Sequence, residues 1–420
     1  MLSRITFGGY ILSLGLSFSL LSGCYDRAEL EEQAFAVTLG VDRASGHKVQ
    51  VTARVAVPSK LSGSSGGAGG SGNFQSGTPV TTAMGRNLNE AILMMNAGIE
   101  RTINLSHLSA VIFGKSMAKE GLLPQLRTLV RYREFRRTLY AFVADSSVTD
   151  IFLGDRPVLE SSATRLVEDL HDSSRRTGYA PSVQVHEFIG ALETPNEDPV
   201  LPILSENRQV AKESKKTAGS GKHMQKDRLS TDAGKINRAG GNPVECVGAA
   251  IFRGDRMVCA LSGEETRLLQ FLSGTLRRST YTIASPTGQK GYLSLNIRDA
   301  EPMSVKVNLS AGRPSLRINQ VFEAELLGDQ TDASFVDAHN RKLLETRVAR
   351  SLSLSETALI RKLYNKYRVD PFRFFRYARG QFSTYDEMAR YDWHRQLPHV
   401  AVQVTANVTL RRLGTQLDPQ

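Results

Sequence analysis

One stretch of this chain is long and apolar enough to concern a membrane, and it lies at the start. Ile5 to Leu21 carries no charge, follows Arg4 and the free amino group, and closes on Leu21-Ser22-Gly23-Cys24. A short positive region, an apolar run and small residues before a cleavage point make residues 1–23 an export signal. The alternative is an uncleaved anchor, but a run of about 17 residues interrupted by Gly8, Gly9 and Gly15 is marginal for a span. No second run approaches it, so the rest of the chain is expected to fold in water.

The cysteine adds a chemical consequence. Leu21-Ser22-Gly23-Cys24 resembles the lipobox of bacterial lipoproteins, in which the thiol is joined to diacylglycerol and becomes the first residue. Cys24 is therefore the expected lipidation site. Two acyl chains would hold the mature chain at the membrane, each buried methylene contributing about 0.8 kcal/mol. The remaining cysteines, Cys246 and Cys259, are too few for a disulfide framework. They flank an expected hairpin that turns at Arg253-Gly254-Asp255. With Phe252 opposite Arg256, Cys246 faces position 262 and Cys259 faces position 249, out of register for a bridge. The Arg-Gly-Asp triplet reads as turn chemistry.

At 420 residues the chain exceeds a usual single domain. Residues 24–205 read as an N-terminal α/β domain, with room for two subdomains. Val49, Val51, Ala53, Val55 and Val57 alternate with Gln50, Thr52 and Arg54, the pattern of a half-buried strand. Ala36–Val41 reads as its partner, with a turn over Asp42–Gly46. Ser62 to Gly77 is nearly all Gly and Ser, a flexible loop within the domain. Pro79–Gly98 reads as helical, with Leu88, Ile92, Met95 and Ile99 on one stripe and the pair Met94-Met95 as core filler. A strand over His107–Phe113, one or two helices over Met117–Tyr132, a strand over Thr138–Val143 and helices over 159–170 and 183–192 follow.

The formal charge of +11 is densest from Glu206 to Pro243, where nine Lys or Arg face four Asp or Glu. No aromatic residues interleave them to stack bases, so nucleic acid is not an expected partner. The stretch reads as a basic flexible linker over 206–243, with attraction to anionic headgroups as the second reading. A C-terminal α+β domain over 244–414 follows. It opens with the hairpin and a helix over Glu264–Leu272, whose first-turn acids suit the helix dipole. Four strand-like runs then lead to a long helix over Asp332–Tyr367. Its stripe is Val336, Leu343, Leu344, Val348, Leu352, Leu359, Leu363 and Tyr367. A last strand over His399–Leu410 has one apolar and one polar face. The expected fold class is multi-domain α+β or mixed α/β, with open, mostly antiparallel sheets covered by helices.

Catalytic patterns are sparse. Gly219-Ser220-Gly221-Lys222 fails as a phosphate loop, because Lys216 stands where the first glycine belongs and His223 replaces the Ser or Thr. No histidine pair has helical metal-ligand spacing, and His394 and His399 straddle Pro398 without a nearby Cys or carboxylate. Glu264-Glu265 and Glu31-Glu32 read as surface or helix-start charges, although folding could bring a glycosidase-like pair together. No catalytic, cofactor or metal residue is assigned. A binding or signalling module is the expectation.

The segments taken in order resemble the Ger(x)C family, the lipoprotein C subunits of spore germinant receptors. Tyr25-Asp26-Arg27-Ala28-Glu29-Leu30 is similar to the family's opening, with Tyr25 where Trp is usual, and Leu39-Gly40-Val41-Asp42 to its Gly-x-Asp strand. His107 through Gly114, Ala118 through Leu122 and Arg131 through Arg137 are similar to its middle block. Val247 through Phe252, Glu264-Glu265-Thr266, Tyr367 through Phe372, Trp393 and Arg411 through Gly414 are similar to its second half. The resemblance implies several α/β domains and no known catalysis. It also implies a lipid-anchored place on the outer face of the spore inner membrane, beside two multi-pass subunits, one transporter-like and one channel-like. The alternative is a solute-binding lipoprotein of an envelope transporter.

Overall fold

The computed structural model describes residues 29–56, 79–156, 176–214, 229–309 and 313–413. The export signal with Cys24, the Gly/Ser stretch 62–77, the helical pattern 159–170 and the Gly219–Lys222 segment lie outside the described residues. Two sheets form, each packed against helices, which gives the α+β class the patterning implies.

The first sheet has nine strands: β1 (Gln33–Arg43), β2 (Val49–Val55), β3 (Val80–Gly85), β4 (Thr102–Asn104), β5 (Ala110–Gly114), β6 (Tyr140–Ala144), β7 (Val200–Glu206), β8 (Val244–Arg253) and β9 (Arg256–Leu261). Its order is β3-β2-β1-β5-β6-β7-β8-β9, with β4 beside the start of β1. The centre, β1-β5-β6-β7, is parallel, and antiparallel pairs flank it on both sides. Parallel neighbours require crossovers, and helices supply them. In chain order these are α1 (Leu88–Asn96), α2 (Lys115–Glu120), α3 (Leu123–Arg131), α4 (Val148–Gly154) and α5 (Val185–Glu193), whereas α6 (Arg208–Ser214) lies between antiparallel β7 and β8.

Several expectations change here. Residues 80–85 pair with β2 as strand rather than helix, because the helix starts only where Asn87 caps it by accepting from the Glu90 amide at 3.0 Å. Met95 is buried but Met94 is half exposed, so only one of the pair fills the core. The polar face of β2 is covered too. Thr52 is fully buried against Thr149 of α4, and Arg54 sits in an enclosed pair with Asp155 at 2.5 Å while donating to the Phe152 carbonyl at 2.8 Å. A buried guanidinium needs such partners, here for both terminal nitrogens though not for Nε, and alternation alone cannot reveal them.

The second sheet holds β10 (Arg278–Ala284), β11 (Tyr292–Asp299), β12 (Ser304–Asn308), β13 (Ser315–Asp329) and β14 (Ala401–Arg412). It is antiparallel except for β14, which runs parallel to β13. α7 (Gly263–Ser273) precedes it, opened by a capping box between Ser262 and Glu265 and closed by left-handed Gly274. α8 (Ala338–Arg361) continues through a π-helical turn over Lys362–Tyr367. Leu344, Val348, Leu352, Leu359 and Leu363 of the expected stripe are buried, whereas Val336 and Leu343 are exposed. α9 (Tyr385–Arg390) and α10 (Trp393–Gln396) are the last α-helices among the described residues.

The β8–β9 hairpin joins the two bodies. By strand pairing it completes the first sheet, so the division at 206–243 does not coincide with the division between sheets. By side chains it serves both cores. Ala250, Phe252 and Met257 face the first, while Ala249, Ile251, Cys259 and Leu261 face the second with α7. A period of two lets one hairpin wall two cores. Its register differs from the expectation by a bulge: Phe252 faces Met257, Arg253 faces Arg256, Cys259 faces Ile251, and Cys246 pairs with Leu204 of β7. Both thiols are free, and burial pushes each up to about 12. The described parts of the expected linker are also bound. Glu245, which is buried, accepts from the Gly234 amide, from Arg238 and from Asn207, so residues 229–243 are held against the sheet.

Candidate functional site

Where the two bodies meet, residues far apart in sequence form a buried polar knot. Asp198 stands just before β7 and is buried. Asp370 follows the π-helical turn and is completely enclosed. Left-handed Arg368 (φ 54°) ends the helix before it, and Pro371 after it cannot donate to a continued helix. The Asp370 amide donates to Asp198 Oδ2 at 2.6 Å. Asp370 Oδ2 accepts from Trp393 Nε1 at 2.9 Å and from the Phe375 amide at 3.1 Å. His394 Nε2 lies 2.9 Å from Asp198 Oδ2 and 3.1 Å from Oδ1. The carboxylate partner missing near His394 in sequence thus arrives from 196 residues upstream.

Rings close the knot. Trp393 packs on Tyr364 with centroids 6.3 Å apart and on Phe375 at 5.5 Å, and Phe372 stacks on Phe374 at 5.1 Å. Burial pushes Asp370 up to about 6, against the pull of the Trp393 N–H. Burial beside Asp370 also drives the Tyr364 hydroxyl well above its ordinary value. Neither the Tyr364 hydroxyl nor Asp370 Oδ1 meets a partner in hydrogen-bond geometry, although the two groups are close enough to interact. Low surrounding polarity is the cause throughout.

The knot borders a cleft of about 680 Å³. One wall is Ala180 to Ala191, leading into and along α5; another is the end of α7 with the turn to β10; a third is Pro371 to Arg376. Phe188, Leu269 and Leu276 are among its apolar lining, and Arg277, Arg278, Arg373 and Arg376 among its polar lining. Arg373 has a left-handed backbone (φ 63°) and its Nε lies 3.3 Å from Glu197.

This arrangement holds carboxylates, an imidazole and guanidinium groups. Among the described residues, the hydrogen bonds of His394 and Asp198 include no hydroxyl or thiol nucleophile. Among the described residues no group of three or more His, Cys, Asp or Glu could hold a metal ion. Nor, among them, is any helix long and apolar enough to cross a membrane. Cys24, the single site residue expected from sequence, lies outside the described residues. Glu264 and Glu265 open α7, with Glu265 in its capping box, and Glu31 and Glu32 are exposed in a short 3-10 turn.

The motif residues turn out to be structural joints. Asp42 of the Gly-x-Asp strand accepts from the Val148 amide at 2.8 Å at the start of α4. Gly40 lies under the same helix, where an added Cβ would stand 2.2 Å from Val148 Cγ1. Gly248 has φ 91° and an added Cβ there would stand 2.5 Å from the Leu261 carbonyl oxygen, so only glycine suits that point of the hairpin. Asp255 of the Arg-Gly-Asp turn accepts from the Leu123 amide at 3.0 Å and so caps α3.

Comparison with known proteins divides the chain between β7 and β8, as the sequence does, rather than between the two sheets. Residues 26–206 match the family described as spore germination protein N-terminal domain, and residues 247–414 match spore germination B3/GerAC like, C-terminal. Spore germination protein B3 of Bacillus subtilis (strain 168) is 22% identical over 377 residues, covering 89% of each chain. Spore germination protein KC of the same organism is 22% identical over 411 residues, covering 96% of this chain and 95% of that one. A crystal structure of the GerBC protein aligns with a TM-score of 0.49 at 16% identity, covering 92% of this chain and 99% of that one. With both of its parts matched in order over most of its length, the chain belongs to the Ger(x)C family, the C subunits of spore germinant receptors.

Proposed function

We propose that this chain is a lipid-anchored subunit of a nutrient germinant receptor, held by acylated Cys24 on the outer face of the spore inner membrane and taking no catalytic step. The observation that carries the reading is where the family match begins. It opens at residue 26, two residues after the lipobox cysteine, so the matched body starts directly behind the expected anchor. The polar knot supports a structural role, because each of its carboxylates holds partners within the fold: Asp198 the Asp370 amide and His394, and Asp370, through Oδ2, Trp393 and the Phe375 amide. Its partners in this reading are two multi-pass subunits, one transporter-like and one channel-like, and the lipid itself.

A solute-binding lipoprotein commonly has two similar lobes. Among the described residues the sheets differ, with nine strands against five and different orders, so the similarity of lobes that would favour that second reading is missing. The test is genetic and chemical together. Deletion, in a strain without paralogues, should abolish the response to at least one nutrient germinant, and an alkyne-labelled fatty acid should enter the native protein but not Cys24→Ala. An unchanged response to every germinant would remove the receptor role. Labelling of Cys24→Ala would remove the anchor.

A further inference from the structure

The cleft between the two bodies has a charge pattern that its own carboxylates do not balance. Arg277 and Arg278 enter it from the turn after α7, and Arg373 and Arg376 from the segment behind Pro371. Two carboxylates share the lining, and both are engaged elsewhere. Glu187 accepts from the Gln184 amide at 2.8 Å in the α5 capping box. Asp198 accepts from the Asp370 amide and sits against His394. Glu197 pairs with Arg373, and Arg376 lies over the Tyr377 ring at 4.9 Å while donating to its hydroxyl at 2.9 Å. A guanidinium resting on a ring keeps its full charge and further donors free.

The remaining lining mixes apolar residues with the polar side chains of Ser182, Gln270, Ser273 and Thr275. Phe188, Ala191, Leu269 and Leu276 are all buried, and they form an apolar portion of the wall. A volume of about 680 Å³ falls in the range of about 300–1,000 Å³ usual for small-molecule sites, and junctions between bodies are where such sites concentrate. The backbone of Arg373 adds a second indication. A left-handed non-glycine residue is costly, and its amide and that of Phe375 are held by Asp370, so the knot fixes this arginine at the cleft.

We infer that this cleft binds a small organic anion, whose carboxylate or phosphate engages the arginines while an apolar body rests on Phe188, Leu269 and Leu276. Carboxylate and phosphate share the chemistry that guanidinium forks recognise. Phe188, Leu269 and Leu276 give an organic anion an apolar contact that an inorganic anion lacks. Because the walls come from both bodies, an occupant links them, and binding to the native state alone raises thermal stability.

The test uses the full-length mature chain as Cys24→Ala, so that it is independent of lipidation and of the receptor assignment. Calorimetry and thermal melts would be run with 2-naphthoate, its uncharged amide and inorganic phosphate. The naphthoate should bind and raise Tm, and the amide should not. Arg277→Gln/Arg376→Gln should weaken naphthoate about tenfold or more while leaving the ligand-free melt unchanged, since both side chains are exposed. Arg277→Lys/Arg376→Lys should retain part of the binding. Arg131→Gln/Arg133→Gln, outside the cleft, should have no effect. The inference is overturned if naphthoate does not bind, if phosphate binds as well as naphthoate, or if the Arg131/Arg133 variant loses as much affinity as the cleft variant.

Discussion

Trp393 holds the carboxylate of Asp370, the residue whose amide reaches across to Asp198 of the other body. It is fully buried, and its ring N–H goes to a carboxylate that is itself enclosed. Trp393→Phe removes a ring's worth of packing and leaves Asp370 Oδ2 short of a donor. Both effects destabilise, together by about 3 kcal/mol, which urea unfolding followed by circular dichroism would read. Glu356 of α8 offers a test with the opposite sign. It has no exposure, and burial pushes it up to about 8, partly offset by Gln320, whose amide nitrogen can reach it at 2.7 Å. From about pH 4.5, where the unfolded chain loses this proton, to about 8, the native state holds the proton more tightly. Its contribution to stability therefore falls as pH rises through that window. Glu356→Gln keeps the shape and removes the titration. The variant should gain on the parent by about 2 kcal/mol between pH 6 and 9, whereas a constant difference across that range would contradict the assignment.

At the scale of elements, the α8–β14 pair shows how an edge strand is closed. The Ala406 amide donates to Ser353 Oγ and the Leu410 amide to Glu345 Oε1, each at 2.9 Å. Eight residues of helix rise about 12 Å and four of strand about 13 Å, so two helical side chains match two outward amides. Covering an edge in this way blocks pairing with other chains. Ser353→Ala with Glu345→Ala should cost about 2 kcal/mol in all and promote self-association, which unfolding and sedimentation would report. The helix itself was legible from its stripe, and β14 from its alternation. The strand over 80–85 was not, because Thr82 and Ala83 are chosen by their partners in β2 rather than by any period of their own. The cover over β2 was equally hidden, since Arg54 looks like a solvent residue until Asp155 is placed beside it.

The molecule as a whole is two sheets with a shared wall. The family resemblance rested on short motifs, and the structure explains why those positions matter. Asp42 starts a helix, Gly40 and Gly248 allow close approach, and Asp370, held by Trp393, reaches Asp198 across the bodies. What the sequence could not reveal was the pairing of residues 196 apart, such as Asp198 with His394, and hence neither the knot nor the cleft beside it. Contacts of that span have no local period to betray them. The central claim, that this chain is the anchored subunit of a three-part receptor, is tested most directly by purification from spore inner membranes in mild detergent. Tagged native protein and its Cys24→Ala form would be compared by mass spectrometry. Two multi-pass proteins, one transporter-like and one channel-like, should accompany the native protein, with the Cys24→Ala form lost from the membrane fraction. Recovery of no membrane partner, or of a transporter permease with its ATPase, would contradict it.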